Sequence, residues 1–150
     1  EVAAGTNIDV TSSTGPVPSV ALAIDAEVAF GDQLATRPEL KDYAETVNAI
    51  GATGGGTQDI DLTLGNVVTA TVDTSANTFT FSNPSATGKS CSFTLILTNG
   101  GSQTVNWPAA VDFAGGAAPT LAAAGVDVLA FMTVDAGTRW YGFPGGLDMK

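Results

Sequence analysis

"GVDVLAFMTVDAGTRWYGF", residues 125 to 143, contains two strand-like runs joined by a turn signal. Val126, Val128 and Ala130 recur at every second position, the period of a strand. Leu129 to Val134 is apolar at nearly every position, the pattern of a strand buried on both faces. Asp135-Ala136-Gly137 then marks a turn, and Thr138 to Phe143 reads as the returning strand. Alternation puts Trp140 and Tyr141 on opposite faces of that strand. Trp140 is expected toward the core or a subunit contact, Tyr141 outward, with Gly145-Gly146 as the turn that releases the tail.

The same pattern extends upstream. Further strands are predicted at Ile60 to Leu64, Val67 to Val72, Thr78 to Phe81, Ser92 to Leu97 and Thr104 to Trp107. Gly65-Asn66, Asn83-Pro84, Thr98-Asn99-Gly100-Gly101 and Gly115-Gly116 punctuate them. "AAPTLAAAG" at 117 to 125 reads as a loop. Short strands at even spacing indicate a mainly β fold, a β-sandwich or jelly-roll-like module over residues 59 to 150.

Residues 37 to 58 read differently. In "RPELKDYAETVNAI", 37 to 50, Thr36 and Glu39 fit a capping box and Pro38 falls in the first turn. Leu40, Tyr43, Ala44, Val47 and Ile50 are spaced three and four apart, which predicts one short amphipathic helix ending at Gly51. Such a helix is marginal alone. Its Leu40, Tyr43, Val47 and Ile50 face is therefore a candidate oligomer interface. "GATGGGTQ", 51 to 58, reads as a Gly-rich linker or tight loop, without the Gly-Lys-Ser/Thr ending of a phosphate loop. Residues 1 to 36 read as an extended, strand-rich arm: Asn7 to Val10 and Val20 to Ile24 alternate, and Pro16 and Pro18 interrupt.

Composition restricts function. Fifteen acidic against five basic residues give a net charge of −10, which argues against nucleic acid and anionic membranes as partners. Ten of the acids lie in the first 61 residues. Charged residues total only 13%, about half the usual share, which suggests a surface partly covered by other subunits. No apolar run reaches the ~18 residues of a membrane span.

Chemistry has few candidates. The chain has no histidine, so the common general base, nucleophile activator and metal ligand is missing. Cys91 stands alone and reads as a small half-buried hydrophobe. Asp59 and Asp61 share a strand face, and Asp127 and Asp135 flank a strand. Both pairs read as solvated or turn residues, with glycoside hydrolysis or calcium as the sharper alternatives. Trp107, Trp140 and Tyr141 are candidate glycan-stacking residues, set against the core role that most large aromatics serve. No cofactor or catalytic residue is expected.

"NWPAAVDFAGGAAPTLAAAGVDVLAFMTVDAGTRWYGF", 106 to 143, resembles a C-terminal module of tail-fibre and related virion structural proteins of tailed bacteriophages, of the marine and cyanobacterial phage type. The shared features are a Trp-Pro, a Gly-Gly-x-x-Pro-x-Leu turn, a Gly-x-Asp-Val-Leu strand, Asp-x-Gly and a closing Trp-Tyr-Gly. "KDYAET" at 41 to 46, "IDLTLGN" at 60 to 66 and "FTFSNP" at 79 to 84 resemble the segment before that module. "AAGTNIDVTSSTGPVPSVALAID" resembles the shaft end. Phe113 departs from the pattern, where a second Trp is expected.

The resemblance implies a non-enzymatic virion protein, usually a homotrimer, in a tail fibre, fibre tip or capsid surface. It implies contacts with other virion proteins and host attachment through a cell-surface glycan or receptor. The other readings are a capsid decoration or cement protein and a carbohydrate-binding adhesin module.

Overall fold

The computed structural model describes residues 36 to 150. The arm expected over 1 to 36 therefore lies outside the described residues, except Thr36. Residues Asp42–Lys150 form one compact unit of nine strands. They are β1 (Val47–Ala52), β2 (Gly56–Asp61), β3 (Val67–Thr71), β4 (Asn77–Ser82), β5 (Cys91–Thr98), β6 (Val105–Asn106), β7 (Val111–Phe113), β8 (Val126–Thr133) and β9 (Trp140–Met149). Among the described residues the only helical turns are short 3-10 turns at Leu62–Leu64, Gly100–Ser102 and Ala114–Gly116.

The mainly β class expected from the sequence is what the chain has. The connectivity differs from the antiparallel sandwich or jelly roll. The large sheet runs β1-β3-β5-β8-β9-β7 and the small one β2-β4-β6. The first six strands alternate between the two sheets. Each lies parallel to its predecessor in the same sheet: β1 with β3 and β5, β2 with β4 and β6. This is the winding of a β-solenoid, in which stacked circuits bury what one circuit cannot. The ladders continue into the corners. Thr53 N–H donates to the Thr71 carbonyl (2.9 Å), Val72 to Thr98 (3.0 Å), Gly56 to Ala76 (2.9 Å) and Asn77 to Thr104 (2.8 Å). The C-terminal part then changes sense: β8 runs antiparallel to β5, β9 antiparallel to β8, and short β7 lies parallel to β9.

The helix predicted over 37 to 50 does not form. Residues 36 to 46 are irregular and Val47–Ala52 is the edge strand β1. The apolar spacing fitted a helix, but a short helix gains little alone, whereas this segment has a parallel partner from Val47↔Val67 to Ala52↔Thr71. Val and Ile, stiff at χ1, suit that pleated surface. The Gly-rich linker expected over 51 to 58 is also built into the fold. It ends β1, turns, and starts β2. Gly51, Gly54, Gly55 and Gly56 all have positive φ. Gln58 Nε2 clamps the corner by donating to the Thr53 and Gly55 carbonyls at 2.9 and 3.1 Å, and Asp73 Oδ1 accepts from Gly54 N–H at 2.8 Å.

The core lies where the two sheets meet. Phe81 from the small sheet makes edge contacts with Phe93, Phe131 and Trp140 of the large one, at ring separations of 4.9, 5.1 and 5.3 Å. Phe79 stacks on Trp107 at 5.5 Å, and Phe93 on Phe131 at 5.0 Å. Ile60, Val68, Leu95, Leu97 and Leu129 complete a fully buried cluster. Each fully buried aliphatic or phenyl side chain contributes roughly 1.5–3 kcal/mol. Gly142 is required for one close approach: a Cβ there would lie 2.6 Å from the Phe113 ring. Phe113 also packs edge-on against Trp107 at 5.7 Å.

Candidate functional site

With one face of each sheet in the core, the other two faces hold most of what could recognise anything. Their chemistry differs. The outer face of the small sheet carries Thr57, Asp59 and Asp61 on β2, Thr78, Thr80 and Ser82 on β4, and Asn106 on β6. These side chains bond across strands. Asp59 accepts from Thr80 Oγ1 at 2.7 Å and Ser82 Oγ at 2.6 Å. Asp61 accepts from Asn83 Nδ2, Thr63 N–H and Thr63 Oγ1 at 2.9, 2.9 and 2.7 Å. Those bonds, Asn83's first and then Thr63's, hold the Asp61 carboxyl below its ordinary range.

The outer face of the large sheet is charge-free along four adjacent strands. One cross-strand row runs Phe143–Ala130–Thr94–Val67–Val47. The next holds Val128–Ile96–Thr69–Ala49. Met132 lies between Tyr141 and Ser92, and Val126 between Met149 and Thr98. Tyr141, Phe143 and Met149 are 41%, 49% and 52% exposed. Charge enters at the margins of the sheet: Asp112 on edge strand β7 lies beside the Arg139 side chain at 3.4 Å, and Asp148 near the end of β9 pairs with Lys150 at 3.2 Å. Sequence spacing suggested that β8 is buried on both faces. In the single chain its Leu129, Phe131 and Thr133 side is closed, while Val126, Val128, Ala130 and Met132 are only half-buried.

The other candidates fall elsewhere. Leu40, Tyr43, Val47 and Ile50 do not share a helix face, because there is no helix. Leu40 and Tyr43 are 70% and 67% exposed ahead of β1. Val47 belongs to the outer face of β1, and Ile50 packs against the core. Trp140, at 2% exposure, is a core residue and no glycan platform. Tyr141 points outward, so the two adjacent aromatics divide between core and surface as alternation predicts. Trp107 is half-buried on Phe79, and it lines a cleft of about 250 Å³ with Gln103, Pro119, Thr120 and Leu121. Trp107 and Tyr141 therefore do not converge on one site.

Asp59 and Asp61 do share a strand face, each held by hydroxyl or amide donors. Asp127 is not solvated: it is fully buried, and its carboxylate accepts from Ala122 N–H at 2.8 Å and Asp148 N–H at 3.0 Å. It ties the 117-to-125 loop and the tail to β8. The signal was legible in parity, since Asp127 shares its face with Leu129 and Phe131. Asp135 organises the β8–β9 turn by accepting from Arg139 N–H at 3.0 Å and Thr133 Oγ1 at 2.8 Å. The Arg139 bond and then the Thr133 hydroxyl hold its carboxyl below the ordinary range. Cys91 is half-buried, its Sγ accepting from Ser85 N–H at 3.3 Å. Among the described residues no three Cys, Asp or Glu side chains are grouped to hold an ion, and no helix is long and apolar enough to cross a membrane.

Compared with protein-family models, with curated proteins and with solved structures, the chain matches none.

Proposed function

We propose that this chain is a non-enzymatic structural protein of a phage virion, a module of a homotrimeric tail fibre or fibre tip that takes part in host attachment. The observation that carries the reading is the charge-free outer face of β1, β3, β5 and β8 in the large sheet, in a protein with a net charge of −10. A face without charge suits close subunit packing, as obligate interfaces are more apolar than free surface. The carboxylates that could have carried chemistry act instead as structural hydrogen-bond acceptors. The resemblance of residues 106 to 143 to tail-fibre modules supports the virion part of the reading.

Labelled antibody against the chain, imaged on intact particles by electron microscopy, is the test. Label along or at the tip of a fibre is the expected result. Label confined to the capsid lattice would move the chain to a decoration or cement role. Particles that never contain it would end the virion reading.

The Trp107 cleft favours a receptor contact within the same reading. Gln103→Ala and Thr120→Ala change the rim of the cleft without touching the core aromatics. Both variants should bind host cells less well while remaining folded. Unchanged adsorption in both would make the cleft a surface crevice.

A further inference from the structure

We infer that the outer face of the six-stranded sheet is where copies of this chain pack against one another. The inference deepens the structural reading above and rests on its self-association, not on its place in a particle.

Three observations select a second copy as the occupant. The first is charge. The outward positions of β1, β3, β5 and β8 hold no ionisable side chain, while the whole chain is strongly acidic; the ion pair of Asp148 with Lys150 lies at the far end of β9. A partner recognised by its charge would find nothing to pair with. Two copies meeting through the outer face of the small sheet would bring Asp59 and Asp61 of each together, whereas here neutral meets neutral. The second is self-complementarity. Thr69, Thr71, Thr94 and Thr98 are interspersed among Val, Ile and Ala. A hydroxyl both donates and accepts, so identical rows can satisfy one another, which identical carboxylates cannot do.

The third is size. The long strands β5 and β8 have eight residues each, and the sheet has six strands. At ~3.3 Å per residue and ~4.8 Å between strands, the face covers on the order of 600 Å². Two such faces bury roughly 1,200 Å², above the ~1,000 Å² that a specific interface should clear. The near-continuous apolar run of β8 has the same explanation: a strand buried on both faces needs a cover on each, and the described residues supply only one.

Ile96 sits at the centre of the face, between Thr69 and Val128. Ile96→Lys places an unpaired charge inside the contact, and the apparent dissociation constant should rise by at least about 100-fold. Thr57→Lys puts the same charge on the outer face of the other sheet and should leave association unchanged. The measurement is molar mass by light scattering of the full chain across a concentration series, with circular dichroism to confirm folding. An oligomer lost in Ile96→Lys and kept in Thr57→Lys is the expected result. Should Ile96→Lys not fold, Phe143→Asp decides in its place, because Phe143 is 49% exposed in the single chain. An oligomer unaffected by a folded face variant would overturn the face assignment and leave self-assembly standing. A wild-type chain that stays monomeric at about 100 µM would overturn both.

Discussion

The two outer sheet surfaces come from the same winding and have opposite chemistry. On the small sheet, Asp59 and Asp61 meet Thr80, Ser82 and Asn83 in cross-strand hydrogen bonds, a surface finished for water. On the large sheet, equivalent positions hold Val128, Ile96, Ala130 and Phe143, a surface left without charge. The strands are alike in backbone, and β-propensity does not separate them. What separates them is the environment that each outward side chain is built to meet. Edge strands are blunted by charges and covers where association is unwanted. The large sheet has such a device at its β7 edge, in Asp112 with Arg139, and none across its middle.

Substitutions on the two faces and beneath them should differ in size of effect. The largest effect belongs to the inward positions that both faces share as support. Trp140→Ala empties a site at 2% exposure and should cost about 3–5 kcal/mol in urea unfolding. Its neighbour Tyr141→Ala, on the open face, should cost far less in the monomer. Equal losses would mean that the two residues do not divide between core and surface. Next is Asp127→Ala, which leaves two part-buried N–H groups without their acceptor. A loss on the order of 1–3 kcal/mol is expected, together with faster hydrogen exchange at Ala122 and Asp148.

The third prediction concerns pH. Asp61 and Asp135 have carboxyls held below their ordinary range in the folded chain. A depressed folded pKa stabilises above the unfolded value, near 3.9, and that stabilisation is lost as pH falls through the folded value. Urea midpoints should therefore be level from about pH 7 to 5 and fall below about pH 4. Asp61→Asn with Asp135→Asn should flatten part of that fall. A steep loss already between pH 7 and 5 would point to other groups. The smallest effect is on the polar face. Thr57→Lys should change stability by no more than about 0.5 kcal/mol, as a surface substitution away from structural bonds does.

Much of the fold was legible because alternation is a local signal. The strands at β3, β4, β5, β8 and β9 follow directly from it, as do turns at Gly65, Asn83, Asn99 and Ala136, all of which have positive φ. Strand order was not legible. Alternation fixes which side chains face the core, but an antiparallel hairpin and a parallel circuit require the same alternation. Residues 47 to 50 misled because Leu40, Tyr43, Val47 and Ile50 satisfy a helical spacing, while the deciding interaction is a ladder to β3, distant in sequence. The open face was half legible. The run from Leu129 to Val134 announced burial on two sides, but only the fold shows that one side lacks a cover among the described residues.

If copies meet as inferred, they do so through the large sheet and not through the segment before β1. Oxidative footprinting across a concentration series tests it most directly, because Met149 and Phe143 lie on the sheet face and Tyr43 lies ahead of β1, all exposed in the single chain. Met149 and Phe143 should become protected as the oligomer forms while Tyr43 stays reactive. Protection of Tyr43 with Met149 and Phe143 still fully reactive would contradict it.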